Sequence, residues 1–449
     1  MTNWMPTLRP GQGPWFQQIA EAMIHDVRAG ILRPGDVLPP QRLLADLLGV
    51  HLSTVTRAYG LVERHGLIAG QRRCGTVVLD RVHAARLFAP EPQEDLIDLS
   101  TNVPAQNPRD RALDVLLGSM LQEQGVETWM RYRSSAQWQA ALADGADWLT
   151  LCGLAPDRFS VLLCAGAQHA LDQALALSHA GRDVAVECYT YPGVKALATL
   201  RGLQLHSLQM DGEGVLPASL TAVAQRGVRV AVVSPNLQNP TGACMGLARR
   251  QALAEVAARH DLLLIEEDVY GLLAAERLPP LAALLPARTL YVTSLSKTVA
   301  PGLRFGLLAV PPALAPPPDD AIHHTGWHMS PLMLALGCRM IRSGEAQRRL
   351  AWQRKEMLAR NRLLDRALGV DGGQHSACPH RWLRLGEGTS PAAMVARLHR
   401  AGLQAVNGDD LAVGRPTVSA IRLALGAAVS RRQLERAAAL LQQALSSVD

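Results

Sequence analysis

The sequence predicts two domains of different structural class: an N-terminal winged helix-turn-helix, mainly α with a small β wing, and a large α/β domain with a mainly parallel sheet. The first is indicated by two short amphipathic helices that meet at a glycine and are followed by two short strand patterns. The second is indicated by apolar runs that alternate with helical patterns from residue 96 onward. A chain of 449 residues is long enough for both domains.

Composition narrows the class of protein. The formal net charge is +6, and residues 1–79 contain eight arginines against five acidic residues, which favours an anionic partner for this segment. The seven cysteines are scattered without a CxxC pair, and we expect reduced thiols in a cytoplasmic protein. No apolar run reaches the roughly 18 residues of a membrane span, and the first residues lack the pattern of a signal peptide.

Three helices and a wing are expected within residues 1–79. Apolar residues recur at helical spacing over 15–29, over 41–48, and from Ser53, the expected N-cap, to about residue 65. Residues 32–41 are rich in turn formers and predict a connector, and residues 67–79 predict two short strands around a tip at 70–75. The side chains of the second helix that we expect to face the core are Leu43, Leu44 and Leu47.

Small polar and basic side chains on the third helix and the wing tip are suited to DNA. The start of a recognition helix meets base edges, and cations at a wing tip suit phosphates or a minor groove. A three-helix protein-interaction or lid domain would show the same periodicity, so the pattern alone leaves both interpretations open. The candidate DNA contacts are Ser53, Thr54, Thr56 and Arg57 on the helix and Arg72 and Arg73 at the wing tip.

Residues 14–79 resemble the winged helix-turn-helix of the GntR family. The resemblance runs almost without interruption through GILRPGDVLPPQRLLADLLGVHLSTVTRAYGLVERHGLI, residues 30–68. It implies binding to a double-stranded DNA operator, with Arg42 contacting phosphate or base and the helix candidates facing the groove. His51 and Leu52 stand where the family usually has an arginine, which predicts a different operator sequence. Residues 80–95 mix charges, alanine and proline without a period and predict an interdomain linker.

Lys297 is the first chemical candidate of the large domain. The chain has only three lysines among 45 basic residues. A chain that otherwise uses arginine is expected to keep lysine where an amine is needed, because only the amine can form a Schiff base. Lys297 follows a buried strand pattern, whereas Lys195 and Lys355 lie in a turn and a charged helical run and are expected to be solvated. An ordinary surface lysine is the alternative for Lys297.

Polar side chains follow successive strand patterns of this domain. The strand patterns are 161–166, 184–187, 228–235, 261–268, 289–294 and 304–310, with helical patterns between them that include 168–177 and 248–259. In a mainly parallel sheet the carboxyl ends of the strands meet at one edge, where ligands bind. We therefore expect the residues that follow these strands to form one site.

Together these residues match the requirements of pyridoxal 5′-phosphate. Lys297 would form the Schiff base, and Asp268 would keep the pyridine nitrogen protonated. Each residue alone has an ordinary structural role, such as a helix cap or a turn, and only their joint order favours the cofactor. The remaining candidates are Asn239 and Tyr270 for the phenolic oxygen, Tyr191 for the ring face, and Gly166, Ala167, Gln168, Ser294, Ser296 and Arg304 for the phosphate.

Residues 96–449 resemble the fold-type I, class I aminotransferases, which have a pyridoxal-phosphate-dependent transferase fold. The motifs are AGAQHAL (165–171), ECYTYPG (187–193), NLQNPTG (236–242), EEDVY (266–270), SLSK with PGLRFG (294–306), and IRLALG (421–426). The resemblance implies that Arg422 binds a carboxylate and that Tyr132 reaches the cofactor phosphate, commonly of the neighbouring subunit. Tyr189 replaces a usual proline, and residues 131–136 lack the usual glycines.

A GntR-like domain joined to an aminotransferase-like domain is the arrangement of the MocR/GabR regulators. We expect a DNA-binding domain at 1–79, a linker at 80–95 and an effector domain at 96–449, in a cytoplasmic homodimer without a metal site. The expected function is transcription regulation in response to an amino compound or to pyridoxal phosphate itself. The alternatives are an aminotransferase with an accessory N-terminal domain, and a DNA-binding protein with an inactive, cofactor-free sensor. Domain swapping is left open.

Overall fold

The computed structural model describes residues 4–446 with the exception of 9–12, 29–30, 34, 65–66, 72–74, 79–95, 133, 180, 317–328, 371–376 and 387. These residues form two compact units. The predicted linker, 80–95, and the wing-tip candidates Arg72 and Arg73 lie outside the described residues. The predicted domain boundaries fall there too and stay predictions.

The N-terminal unit has the predicted winged helix-turn-helix. Three helices precede two antiparallel strands, in which Gln71 pairs with Gly75. Ile19, Met23 and Val55 are completely buried in the centre of this unit, which confirms the helical spacing from which the core was predicted. The elements are α1 (Trp15–Arg28), α2 (Gln41–Leu48), α3 (Leu52–Arg64), β1 (Ile68–Gln71) and β2 (Gly75–Val78).

Helix α2 buries a narrower face than expected. Leu44 is fully buried, but Leu43 and Leu47 are 40% and 58% exposed, so their predicted inward orientation is wrong. Leu43 and Leu47 are four residues apart and share one side of the helix, while the core contacts the side that carries Leu44 and Ala45. A helix of two turns is too short for its periodicity to distinguish these two sides.

Two local predictions in this unit are corrected by hydrogen bonds. Helix α3 begins at Leu52, one residue before the expected cap, and the Nδ1 atom of His51 accepts a bond from the backbone N–H of Ser53 (3.3 Å). The predicted connector is also more regular than expected. Val37 forms an antiparallel bridge with Val77, which adds a short third segment to the wing.

The large unit is built on a seven-stranded sheet in the order β4-β12-β11-β10-β9-β5-β6. All neighbouring strands are parallel except β12, which is antiparallel to both β11 and β4. The sheet is therefore mainly parallel, as predicted. The strands are β4 (Ser160–Ala165), β5 (Asp183–Glu187), β6 (Gln204–Leu208), β9 (Val230–Val233), β10 (Leu263–Glu267), β11 (Thr289–Ser294) and β12 (Phe305–Val310), and a small hairpin is formed by β7 (Met210–Asp211) and β8 (Gly214–Val215).

Helices and loops cover both faces of this sheet. Strands β11 and β12 are buried at every position, as expected of central strands that are covered on both sides. Strand β3 (Ile97–Asp98) precedes the sheet and pairs with β14. The helices of this part are α4 (Ala112–Trp129), α5 (Ser135–Leu151), α6 (Ala167–Leu177), α7 (Pro192–Arg201), α8 (Pro217–Gln225), α9 (Leu247–Arg259) and α10 (Leu281–Leu284).

The C-terminal part adds a second, three-stranded antiparallel sheet in the order β13-β16-β15. Its register places Trp382 opposite Arg422, the residue expected to bind a carboxylate. Within the described residues, no helix combines the length and the apolar character that crossing a membrane requires. The elements are α11 (Pro331–Arg342), α12 (Glu345–Leu368), β13 (His380–Arg384), α13 (Pro391–Arg400), β14 (Leu403–Gln404), β15 (Val406–Asn407), β16 (Ala420–Ala424) and α14 (Arg431–Ser446).

Candidate cofactor and effector site

Lys297 lies just after the buried strand β11. Its Nζ donates a hydrogen bond to the backbone oxygen of Asn102 (2.6 Å). Burial, together with the positive charge of Arg422, lowers the pKa of Lys297 to about 8. An amine with this pKa is partly neutral near physiological pH, and the neutral form is the one that can attack a carbonyl carbon.

The other two lysines differ in their surroundings. Lys355 is exposed on α12, as expected. Lys195 is only 7% exposed, so the prediction that it is solvated is wrong. Its Nζ donates to the backbone oxygens of Asp410 (3.1 Å) and Ala412 (3.0 Å). These acceptors lie at the end of a short 3₁₀ helix, Gly408–Leu411, which is distant in sequence and therefore invisible in the local pattern.

Asp268 follows β10 and is buried beside two donors. Its Oδ1 accepts a bond from Asn236 Nδ2 (2.9 Å), and its Oδ2 accepts one from the Tyr291 hydroxyl (2.6 Å). Burial raises the pKa of Asp268 above its ordinary value, although both bonds oppose this. A protonated pyridine nitrogen beside this carboxylate would supply the missing positive charge. A Cβ on Gly271 would lie 2.3 Å from either carboxylate oxygen, so the loop requires glycine there.

A buried arginine orients Asp268 indirectly, through a hydrogen bond to Asn236. Arg250, on α9, is 1% exposed, and its Nη2 donates to Asn236 Oδ1 (2.6 Å). Its Nε and Nη1 donate to the backbone oxygens of Met245 (3.0 Å) and Pro279 (3.1 Å). Arg250 therefore orients the amide of Asn236, which in turn donates to Asp268. The sequence analysis missed both residues, although Asn236 begins the NLQNPTG motif.

A cradle for a phosphate is formed where β4, β12 and α6 meet. Gly166 has φ +86°, and a Cβ there would lie 2.4 Å from Nη2 of Arg304. A Cβ on Gly306 would lie 2.5 Å from the carbonyl carbon of Gly166, so two glycines allow the backbones to approach. Helix α6 begins at Ala167, and the amides of Ala167 and Gln168 belong to its unpaired first turn. A helix N-terminus beside an arginine is suited to an anion.

The two serines predicted to bind the phosphate lie at the end of β11 and just after it. The Ser294 hydroxyl accepts a bond from the backbone N–H of Ser296 (3.4 Å), and both side chains are buried. The hydroxyl of Ser296 has no hydrogen-bond partner within the described parts of the chain. A buried hydroxyl without a partner costs free energy, which a phosphate oxygen would offset.

Tyr191 lies at the start of α7, next to Gln168. Gln168 Nε2 donates to the backbone oxygen of Gly193 (3.0 Å), and a Cβ on Gly193 would lie 2.1 Å from the Tyr191 ring. The ring is thus held against the first turn of α7. Burial raises the pKa of Tyr191 to about 12, so its hydroxyl remains protonated. Its predicted role, stacking on the cofactor ring, stays a prediction.

Arg422, on β16, is buried and lies beside Asn239. Its Nη1 donates to Asn239 Oδ1 (3.1 Å), and its Nη2 donates to the backbone oxygen of Ser100. Its Nε has no partner among the residues that the structure describes. Burial lowers the pKa of Arg422 to about 10. No carboxylate of the described residues forms an ion pair with it. The arginine is therefore suited to an acid group from a ligand.

His380 belongs to the site but was not found from the sequence. Its Nε2 lies 2.9 Å from the backbone oxygen of Gln238, to which it donates, and its Nδ1 lies 3.2 Å from Nδ2 of Asn102. Burial lowers the pKa of His380 to about 3, so the ring is neutral. Its proton is then on Nε2, and Nδ1 accepts the bond from Asn102. The ring also packs edge-on against Tyr270, with the centroids 5.4 Å apart. No local motif marks His380, because its partners are distant in the chain.

The group of residues around Lys297 fits pyridoxal phosphate. Four of the ten buried polar side-chain atoms that lack a hydrogen-bond partner in the described structure belong to this group, whereas most buried polar atoms of folded proteins are paired. Acceptor oxygens of an anionic ligand would satisfy the two donors among them, the Ser296 hydroxyl and the Nε of Arg422, whereas the two amide oxygens require donors. The atoms are Asn102 Oδ1, Gln168 Oε1, Ser296 Oγ and Arg422 Nε.

Two predictions lie apart from this group. Tyr132 follows α4 and is 82% exposed, so its predicted phosphate contact, commonly with a neighbouring subunit, stays a prediction. Among the described residues, there is no group of three or more His, Cys, Asp or Glu side chains that could hold a metal ion.

The candidate DNA residues of the N-terminal unit are grouped on the α2–α3 surface. Ser53, Thr56, Arg57 and Arg42 are exposed, and Thr54 is half-buried. The Arg57 guanidinium lies 3.9 Å from the centre of a phenylalanine ring of α1, and the Thr56 hydroxyl donates to a glutamine of α2 (2.8 Å). These contacts orient the side chains without burying them, and their roles in DNA binding stay predictions.

Comparison with known proteins assigns both parts of the chain. Residues 94–441 match the family model described as aminotransferase class I and II, and residues 16–78 match that of the bacterial regulatory proteins, gntR family. The solved kynurenine aminotransferase of Pyrococcus horikoshii has a TM-score of 0.69 at 21% identity, over 81% of this chain and 96% of its own. At this identity the likeness shows the fold alone.

Two curated relatives extend over nearly the whole chain. The HTH-type transcriptional regulator YdeF of Bacillus subtilis is 29% identical, over 99% of this chain and 97% of its own. The vitamin B6 salvage pathway transcriptional repressor PtsJ of Salmonella typhimurium is 26% identical, over 97% and 99%. The chain therefore belongs to the aminotransferase class I and II family and joins to it a GntR-type domain, which is the arrangement of the MocR-type transcriptional regulators.

Proposed function

We propose that this protein regulates transcription by binding operator DNA through α3, and that an amino compound with an acid group, bound at pyridoxal phosphate on Lys297, changes this binding. The observation that carries the proposal is that Arg422, whose Nε has no partner among the described residues, lies in the same unit as Lys297 and Asp268, in a chain that also has a GntR-type domain. The acid group of the ligand would meet Arg422, and its amine would meet the cofactor.

Each side chain of the proposed site has a separate role. When bound, pyridoxal phosphate supplies an electrophilic carbon to which amines attach reversibly. Lys297 would hold the cofactor through its amine, whose pKa of about 8 in the cofactor-free protein leaves it partly neutral and able to react near physiological pH. Asp268, oriented by Asn236 and Tyr291, holds the proton at the pyridine nitrogen. Arg422 selects ligands that carry an acid group.

The ligand can alter DNA binding only through a difference in its affinity for two arrangements of the protein. Such coupling amounts to about 1–3 kcal/mol in typical regulators. The name of PtsJ, a repressor of vitamin B6 salvage, makes pyridoxal phosphate itself a second effector to test. In that case occupancy of Lys297 alone would set the affinity for DNA.

A cytoplasmic homodimer is part of the proposal. Val115, Val126 and Met130, on or just after α4, are 66%, 54% and 65% exposed, and Tyr132 is 82% exposed. Large apolar side chains gathered on one segment are suited to a partner surface. A two-fold dimer would also match the symmetry of paired DNA half-sites.

The test begins with the visible absorption spectrum of the purified protein with pyridoxal phosphate, beside Lys297→Ala. We expect a band of the lysine-linked cofactor that the substitution abolishes and that amino acids shift. Binding to the DNA upstream of the protein's own gene is then titrated with each compound that shifts the band. A protein without the band, or with DNA binding that no such compound changes, would contradict the proposal.

Transamination is a second candidate function, because a lysine and a buried carboxylate such as Lys297 and Asp268 are also the side chains that a catalyst of this reaction would need. Turnover of an amino donor and a keto acid at about 1 s⁻¹ or faster would support an enzyme. Binding of amino acids without turnover would leave the regulator as the better description.

A further inference from the structure

Tyr189 stands where aminotransferases usually have proline. Its side chain connects the segment after β5 with the distant residues 417–418 by hydrogen bonds. Tyr189 lies in the chain between β5 and α7, and its side chain is buried. Its hydroxyl accepts bonds from the backbone N–H groups of Thr417 (2.8 Å) and Val418 (2.7 Å) and donates to the oxygen of Val418 (3.2 Å). A phenolic hydroxyl has one proton and two lone pairs, so its bonding capacity is used completely.

The loop that Tyr189 holds leads directly into strand β16. Val418 is four residues before Arg422, and the Tyr189 ring packs against Trp382 with the centroids 5.2 Å apart. Trp382 lies opposite Arg422 in the β13–β16 pair. A Cβ on Gly408 would lie 2.6 Å from the Trp382 ring, so the ring is confined on that side too. Tyr189 therefore supports both the strand of Arg422 and its neighbour.

Further bonds connect the same two segments. The N–H of Thr190 donates to the oxygen of Leu411 (2.9 Å), and the N–H of Val413 donates to the oxygen of Cys188 (2.8 Å). The buried ammonium of Lys195 donates to two carbonyls at the end of the 408–411 helix. Carbonyls at a helix end lack partners within the helix and attract a cation.

The two connected segments, 188–195 and 408–418, lead to the two parts of the proposed site: the cofactor residues and Arg422. The oxygen of Tyr189 accepts a bond from Gln238 Nε2 (2.6 Å), and Gln238 directly precedes Asn239, the partner of Arg422. Tyr191, the candidate for the cofactor ring face, is two residues after Tyr189. The position of Arg422 relative to the cofactor therefore depends on this connection.

We infer that Tyr189 and Lys195 are positioning residues for effector recognition: they hold Arg422 at the distance from the cofactor at which one ligand can meet both. The inference rests on the proposed function. A proline at 189 would have neither the hydroxyl nor the ring on which the connection depends.

The test uses two amines that differ by one carboxylate, L-alanine and ethylamine, titrated into the full-length protein loaded with pyridoxal phosphate and followed by the shift of the absorption band. In Tyr189→Phe, which removes one oxygen, we expect the affinity for L-alanine to fall about tenfold, because two buried N–H groups lose their acceptor and the loop relaxes. The affinities for ethylamine and for the cofactor should stay within about twofold.

Lys195→Met tests the other half of the connection, with Lys355→Met as the matched control on the exposed face of α12. We expect Lys195→Met to lose the preference for L-alanine and Lys355→Met to keep it. Equal losses for both amines would indicate a general structural role and would overturn the inference. Wild-type preference retained in both Tyr189→Phe and Lys195→Met would overturn it as well. A wild-type protein that binds the cofactor but does not prefer L-alanine would instead contradict the proposed function, and the inference with it.

Discussion

At the scale of single residues, the protonation of Lys297 is decided by its neighbours. Its amine is buried and lies near the positive charges of Arg422 and Arg304, while only Glu267 opposes them. Burial raises the pKa of Glu267 to about 7, so this carboxyl is itself partly neutral near physiological pH. The folded chain thus favours the neutral amine, whereas the unfolded chain takes up the proton near the ordinary pKa of 10.5. The cofactor-free fold therefore loses stability as the pH falls from about 10.5 to about 8, and the loss is complete below that pH.

The first prediction concerns the pH dependence of cofactor capture. Because only the neutral amine of Lys297 reacts, the rate at which cofactor-free protein captures pyridoxal phosphate should rise about tenfold per pH unit below pH 8 and level off above it. Stopped-flow absorbance measures this rate. Lys355→Arg is the control and should keep the profile. A rate that continues to rise to pH 10 would show that the amine of Lys297 has an ordinary pKa.

The second prediction concerns the glycine below Asp268. In Gly271→Ala the new methyl group would lie 2.3 Å from the carboxylate oxygens, so Asp268 must shift, and we expect a loss of about 1–3 kcal/mol in stability together with weaker cofactor binding. Gly302→Ala is the matched control, because Gly302 also lies in a short 3₁₀ helix and a Cβ there meets nothing within 4 Å. Thermal unfolding and cofactor titration of both variants decide the matter. Equal behaviour would contradict the contact.

Site residues that lie in sequence motifs could be assigned from the sequence. The residues that orient them through hydrogen bonds could not. Lys297 and Asp268 follow apolar strands, and their chemistry was visible locally. Arg250 and His380 act through partners far along the chain: Asn102, for example, is 278 residues from His380. Such pairs depend on the tertiary structure, which periodicity does not contain. Burial of Lys195 escaped prediction for the same reason.

At the scale of secondary structure elements, the bounds of several strands were predicted well, whereas the buried side of a short helix was not. Strands β4, β5 and β11 begin and end within one residue of the expected positions. Helix α2 has only 8 residues, and the sides that it buries could not be resolved from three leucines. The N-terminus of α3 was misplaced by one residue, because a histidine ring can accept a bond from a backbone N–H just as a serine hydroxyl can.

The third prediction belongs to helix α3. Arg57 is exposed and oriented by the aromatic ring of Phe16. If it contacts a phosphate, Arg57→Ala should reduce the slope of log affinity against log salt by about 1 and weaken binding to all DNA sequences alike. Fluorescence anisotropy at several salt concentrations measures this. Arg111→Ala, which removes an exposed cation from the large unit, should leave the slope unchanged. A loss confined to one operator sequence would instead assign Arg57 to base recognition.

At the scale of the whole molecule, the exposed position of Tyr132 makes the assembly testable. A tyrosine that serves the partner subunit's site should be complemented in mixed dimers. In a dimer of Lys297→Ala with Tyr132→Phe, one site then keeps both native residues and the other has neither. We expect half of the sites to bind pyridoxal phosphate with wild-type affinity.

The measurement is a cofactor titration of mixed dimers isolated with two different affinity tags. The Tyr132→Phe homodimer, in which every site is weakened, is the control. If Tyr132 serves the site of its own chain, no site in the mixed dimer reaches wild-type affinity. That result, or a monomeric protein in solution, would contradict the shared site.

The unpaired atoms around Lys297 also bear on the lifetime of this protein in a cell. Ser296, Gln168 and Arg422 each have one buried polar atom without a partner among the described residues, so the fold is least stable without a ligand. A ligand at 100 times its Kd adds roughly 2.7 kcal/mol. Differences of this size change the fraction of molecules open to proteases and hence abundance. Starvation for vitamin B6 would therefore lower the number of copies of the regulator as well as their occupancy, so that turnover reports the same nutrient as the binding site.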